Sequence, residues 1–468
     1  MIILFNAIKE NLKLTLPILL TRLLGVTSNL IAMILIAKLG PEALSASALV
    51  MSIFSVCVLL VMAFSFSVCA LIAGAYSSQN TKKIGAIIVS SLFLNTLLAI
   101  PFMVFFNYIT PLLIWLHQPP RVAHLVGEYF QGMLIGYLPL LWASILEQVF
   151  VGVRKPRYIV YLSLISLFVM PALSALFIFG KWGFPALGML GAGYAVSVMS
   201  IISLLYLFGI CTLKQWHLKY YLFRLQDKWD VACIKKLYQL GWPIALQFSG
   251  EFLAYTLITL MMGWLGVIAL AAQQVILQFT VVSVMIPTSV SQATAVLVGQ
   301  ASGRKDDKLI KYHVNIALMI VSILMGLVAF LYIGIPKTLI QIYLAIDDPQ
   351  NHTILTLTTT LLIITALSQC FDGIRNVLSG AYRGLQATKT PMLIGTLTLW
   401  LVSIPLAYYL GFILHYGAIG VRWGFTIGII AGAGLLALSW YGWAAAGNSA
   451  KMIMSDCHES LSVDGEVG

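Results

Sequence analysis

Apolar runs of about 20 residues, long enough for a helix to cross the hydrocarbon of a bilayer, recur along almost the whole chain. Short clusters of Gly, Pro and charged residues separate them. These breaks predict twelve helices, over about 12–38, 43–76, 84–116, 126–153, 156–180, 186–213, 236–264, 267–302, 311–337, 352–382, 390–414 and 417–446. Segments 53–75 and 316–335 are largely apolar on all sides, whereas barrel strands alternate apolar and polar at every second residue. A β-barrel is therefore excluded, and the backbone must satisfy its own hydrogen bonds as helices.

The pattern also repeats. Leu16-Pro17-Ile18 recurs as Trp242-Pro243-Ile244, and the run from Leu39-Gly40 to Ala46 recurs from Leu265-Gly266 to Ala272. Gly74, Ser77 and Lys83 match Gly299, Ser302 and Lys308, and Gly188 and Gly191 match Gly417 and Gly420, all in order and at nearly constant separation. Such a repeat marks a duplicated unit. The reading is an all-α integral membrane protein with two pseudo-symmetric six-helix lobes, at 1–225 and 226–468, joined by the basic stretch 214–236. An even number of helices per lobe leaves both in the same orientation.

Composition agrees, with 60% hydrophobic and 9% charged residues and a mean hydropathy of +0.96. If the first residues are cytoplasmic, twenty Lys and Arg fall on the inside. The outside loops then hold five: Lys38, Arg121, Lys181, Lys337 and Arg422. That bias predicts a multi-pass protein of the inner membrane with both termini cytoplasmic. Anionic lipid headgroups suffice to explain the net charge of +11, so no nucleic acid partner is implied. Residues 1–11 read as a retained tail. The six cysteines, Cys57, Cys69, Cys211, Cys233, Cys370 and Cys457, show no CxxC spacing and suggest neither a disulfide framework nor a zinc site. The stretch from Gly299 to Lys305 lacks the spacing and Lys-Ser/Thr ending of a phosphate-binding loop, and no nucleophile motif is present, so an enzyme is not expected.

Of sixteen acidic residues, only Glu147, Glu251 and Asp372 fall well inside predicted spans. A carboxylate at mid-membrane depth costs about 2.5–3.5 kcal/mol on insertion scales, so it normally faces a partner or a cavity and marks an ion, proton or substrate site. Glu251 has no basic residue within a turn on either side. Asp372 lies one turn before Arg375, which leaves two readings: a cation ligand, or half of an ion pair that anchors its helix. Glu147 either pairs with Arg154 or Lys155 or serves transport, and Arg22 either lines a cavity or packs against a polar group. Trp242, Phe248, Phe252, Tyr255, Phe279 and Phe371 either stack on a planar cation or pack helices. Gln273, Gln274 and Gln278 carry amides that need partners in a membrane helix, and Gln278 shares a face with Gln274.

The repeat, the Pro17 and Pro243 positions, the run Ala271-Ala272-Gln273-Gln274-Val275-Ile276-Leu277-Gln278-Phe279 with Pro287 and Gly299, and Gln369-Cys370-Phe371-Asp372 with Gly380, Arg383 and Gly384 resemble the multidrug and toxic compound extrusion family. The resemblance spans about residues 9–443. It implies two six-helix lobes that alternate access and export small organic cations in exchange for inward protons or sodium ions, with no other cofactor and as a monomer in the lipid bilayer. In the bacterial branch it also implies a cation site at Glu251 and Asp372, which would ligate the metal if the coupling ion is sodium. Substrate contacts are then expected from Gln274, Gln278, Tyr255, Phe279, Phe371, Arg22 and Arg375. The chain departs from that branch at Met33, where many members carry an acid, and at Phe168-Val169-Met170-Pro171-Ala172-Leu173-Ser174, which replaces an Asn-rich stretch. Coupling then leans on the second lobe. The rival reading within the superfamily is a lipid-linked oligosaccharide flippase, for which Arg22 and Arg375 speak, while twelve helices and Glu251 speak against it. A channel or a non-transporting scaffold is the rival from another class.

Overall fold

The computed structural model describes residues 2–216, 231–343 and 352–445. Most of the expected linker at 214–236 and the carboxy-terminal tail with Cys457 lie outside the described residues. The membrane-length helices are α1 (Ile2–Ala37), α2 (Pro41–Ser77), α3 (Thr81–Asn107), α5 (Pro120–Gly152), α6 (Arg157–Phe179) and α7 (Gly188–Leu213) in the first half. The second half has α8 (Val231–Trp264), α9 (Val267–Gly303), α10 (Asp307–Gly334), α12 (His352–Gly384), α13 (Lys389–Ile413) and α14 (Gly417–Ala445). Two short helices, α4 (Ile109–Trp115) and α11 (Pro336–Ile340), follow the third helix of each half. Thirteen apolar windows qualify as spans, but Pro41–Val58 and Leu60–Ser77 are halves of α2, which leaves the twelve that hydropathy predicts.

Three features depart from the expectation. The first helix begins at Ile2, so the stretch read as a tail forms its opening turns. The third predicted helix, 84–116, is cut after Asn107, because Pro111 has no N–H to return to the Asn107 carbonyl. In α13 the segments Thr398–Ser403 and Tyr409–Ile413 are π-helical and flank Pro405, where the regular ladder must shift.

The duplication is written in the backbone. Gly40 and Gly266, each just before the second helix of its half, both adopt φ 111°, a conformation closed to side-chain-bearing residues. Gln79 and Lys305 follow at 57° and 56°, Arg154 and Gln386 at 61° and 65°, and Gly188 and Gly417 at 56° and 58°. Equivalent turns thus punctuate both halves. The chain forms two compact units, one of Leu16–Ala245 and one of Met1–Thr15 with Leu246–Gly468, and the changeovers fall beside Pro17 in α1 and Pro243 in α8.

Within the first unit α5 is central, packed on α2, α3 and α7. Gly132 and Gly136 let α7 approach so closely that the Ser197 hydroxyl donates to the Gly132 carbonyl at 2.7 Å and accepts from the Gly136 N–H at 2.9 Å. An added methyl on Gly136 would sit 2.2 Å from the Ser197 Cα, a backbone atom that cannot swing aside. Gly136→Ala is therefore expected to destabilise by about 1–3 kcal/mol, whereas Gly434→Ala, whose methyl meets nothing within 4 Å, should melt as the parent does. Thermal unfolding of both purified variants checks this. In the second unit α12 takes the central place, against α9, α10 and α14, and Gly380 brings it onto the Ser291 carbonyl of α9.

Candidate functional site

The second unit buries a charged cluster between α8 and α12. Along α8, Gln247, Glu251 and Tyr255 recur at every fourth position, which places them on one helical face. Along α12, Asp372, Arg375, Asn376 and Ser379 do the same at three- and four-residue spacing. Arg375 is the hub. Its Nη1 donates to Glu251 Oε1 at 2.7 Å, and its Nε and Nη2 donate to Asp372 Oδ1 at 3.0 and 2.8 Å. Asn376 Nδ2 donates to Asp372 Oδ2 at 3.0 Å, so both oxygens of that carboxylate are held. Gln247 Nε2 donates to Glu251 Oε1 at 3.0 Å and to Ser379 Oγ at 3.2 Å.

Exposure separates the two acids. The side chains of Asp372 and Arg375 are 3% and 5% exposed, while that of Glu251 retains 16%. Glu251 Oε2 is the one carboxylate oxygen of the cluster that accepts no hydrogen bond among the described residues. Two carboxylates against one guanidinium leave one net negative charge, and a single proton or monovalent cation would neutralise it.

This geometry corrects the view of Glu251 as an acid without a basic neighbour: Arg375, 124 positions along the chain, reaches it across helices. The expected Asp372–Arg375 pair is present. Tyr255 lies within electrostatic reach of Glu251, Asp372 and Arg375 and packs its ring on Phe425 at 4.8 Å. Phe371 packs at the edge of the same apolar cluster. Phe279 does not join them; it is buried in another cluster, with Tyr332 at 5.8 Å and Tyr343 at 5.4 Å. Gln274 and Gln278 are exposed on their shared face of α9, and Gln273 is buried with neither amide atom hydrogen-bonded among the described residues.

Arg22 sits in the first unit, where its electrostatic partner is Glu147. Of the two readings of Glu147, pairing with Arg154 or Lys155 and a transport role, the first loses Lys155, which lies over the Trp216 ring at 4.8 Å. Arg422, counted among the outside-loop charges, lies inside α14, as the predicted helix 417–446 implied, and is 1% exposed. Sequence reading also missed Gln247 and Asn376. Their signal was available, since each stands one helical turn from the acid it contacts. Among the described residues no group of three or more His, Cys, Asp or Glu gathers.

Twelve apolar helices of membrane-spanning length in two like units, one of them with a buried charged cluster, fit the class of membrane transporters. Its relatives make the class specific. A profile of the MatE family matches residues 17–176 and 243–409, one segment in each half, and the chain belongs to that family. It is 30% identical over 429 residues to the multidrug resistance protein NorM of Burkholderia vietnamiensis, covering 92% of each chain. A probable multidrug resistance protein NorM of Synechococcus is 28% identical over 431 residues, again covering 92% of each. Two crystal structures share the fold. The Vibrio cholerae MATE transporter VcmN in its bent form gives a TM-score of 0.83 at 19% identity, over 95% of this chain and 98% of that one. The eukaryotic MATE transporter AtDTX14 gives 0.82 at 20% identity, over 96% and 99%. As a MatE transporter the protein is not an enzyme.

Proposed function

We propose that the protein is a secondary active multidrug antiporter that exports small organic cations in exchange for an inward cation bound at Glu251 and Asp372. The observation that carries this reading is Glu251 Oε2, an unpaired carboxylate oxygen at the accessible edge of an otherwise satisfied buried cluster. The names of the NorM relatives support the multidrug character. Exchange follows from linkage: if the inward ion and the outward cation each disfavour the other's binding, each expels the other by the same coupling free energy.

A proton suits the cluster better than sodium. Sodium would need several oxygen ligands at once, and Arg375 already holds one oxygen of each carboxylate, whereas a proton needs only Glu251 Oε2. Tyr255 and Phe371, near the carboxylates, are the proposed aromatic contacts for a planar substrate. Gln274 and Gln278 are proposed as polar ones. Phe279, enclosed by two tyrosines, is left a packing role. Arg22 and Arg375 both face carboxylates, which counts against their serving a lipid-linked diphosphate. The protein is taken to act as a monomer in the inner membrane with both termini cytoplasmic and no cofactor beyond the coupling ion.

Reconstituted vesicles loaded with a fluorescent organic cation test the reading. Uphill movement that stops when ionophores collapse the ion gradients supports exchange. Movement only down the substrate's own gradient would point to a channel.

A further inference from the structure

Arg422 is a buried arginine of the second unit that stands apart from the charged cluster. It is 1% exposed and among the largest fully buried side chains. Neither its Nε nor its Nη1 has a hydrogen-bond partner among the described residues. Its electrostatic neighbour is Tyr255, and its guanidinium carbon lies 5.7 Å from the Phe425 ring centroid. Neither Asp372 nor Arg375 has Arg422 within electrostatic reach. The nearby Thr426 hydroxyl donates to Arg422's own carbonyl at 2.9 Å.

A guanidinium does not lose its proton, so burial cannot neutralise it as it can a lysine. Leaving such a charge buried and uncompensated is strongly unfavourable. Arg422 is also the sixth residue of α14, a helix of 29 residues, and helical side chains lean back toward the amino terminus. Its charge therefore adds to the positive end of the helix dipole and to the first-turn N–H groups there. Tyr255 contributes a further O–H. A buried place rich in donors, with no carboxylate in reach, selects a small anion.

We propose that Arg422, with Tyr255 and the amino-terminal turn of α14, binds one small monovalent anion, a halide or a small carboxylate, inside the second unit. The anion compensates the guanidinium and is distinct from the cation exchanged at Glu251. Because Tyr255 lies in reach of both Arg422 and the carboxylates, it is the group through which the anion and cation sites sense each other.

The test uses the purified full-length protein, unfolded thermally in sodium gluconate and in chloride, bromide, acetate or sulfate at matched ionic strength. Ligand linkage raises the melting temperature of a chain this long by about 1.5 °C for each tenfold excess of a bound ion over its Kd. Chloride and bromide are expected to raise it and sulfate and gluconate to leave it unchanged. The acetate arm shows whether a carboxylate occupies the site as a halide does. Arg422→Lys should retain a weaker response and Arg422→Gln none. Equal melting of the parent in chloride and gluconate, or an undiminished response in Arg422→Gln, would overturn the proposal. Should Arg422→Gln fail to fold, anomalous diffraction from bromide-soaked crystals of the parent decides it. Bromide beside the Arg422 guanidinium supports the site, and none there refutes it.

Discussion

Replacing Arg375 with glutamine is expected to destabilise the protein by about 3–5 kcal/mol, more than replacing either carboxylate that it holds. Removing the guanidinium leaves Glu251 and Asp372 buried side by side without a counter-charge. Removing Asp372 does something different. Glu251 and Arg375 remain as a neutral pair, so Asp372→Asn loses only charge-assisted hydrogen bonds, at about 1.5–3 kcal/mol. The double variant Arg375→Gln, Asp372→Asn should recover part of the loss, because a single carboxylate then remains, at the more accessible edge. Thermal melts of the two single variants and the double variant, combined as a cycle, give the interaction directly. An Asp372→Asn variant that melts as low as Arg375→Gln would mean that Glu251 is not the guanidinium's second partner.

Glu251→Gln carries the second large effect. The amide can still accept from Arg375 and Gln247 through its oxygen, so folding and expression should hold, but it cannot take up and release a proton. Gradient-driven efflux is expected to fall by roughly 5–150-fold, the range of ordinary coupling free energies, while exchange of substrate for substrate continues. Drug resistance in cells and counterflow in vesicles read the two separately. Undiminished resistance in cells carrying Glu251→Gln would remove the proposed role.

Glu251 and Asp372 were legible because a carboxylate inside a long apolar run is costly wherever the helix packs. The repeat was legible for a related reason: prolines, glycines and charges that end or kink helices act locally, so Pro17 and Pro243, or Gly40 and Gly266, declare themselves without tertiary information. Partnership across helices does not. A chain read by turns sees residues three and four apart, which found the Asp372–Arg375 pair but not Glu251–Arg375 or Arg22–Glu147. Arg422 was counted with the outside loops although the predicted helix 417–446 already contained it, and Gly420 beside it packs α14 against the Leu410 carbonyl of α13. Phe279 was drawn toward the site by the polar residues beside it, while its ring turns to Tyr332 and Tyr343.

Confinement of coupling to the second unit is the central claim, and Glu147 is its control. In the first unit Met33 cannot exchange a proton, the stretch Phe168–Ser174 offers a single hydroxyl, and Glu147 is already opposed by Arg22. The most direct measurement is efflux from proteoliposomes with the pH and sodium gradients imposed separately, for the parent, Glu147→Gln and Glu251→Gln. The account predicts that the parent and Glu147→Gln respond alike, to the pH gradient, and that Glu251→Gln responds to neither. Loss of gradient dependence in Glu147→Gln with retention in Glu251→Gln would contradict it and place coupling in the first unit.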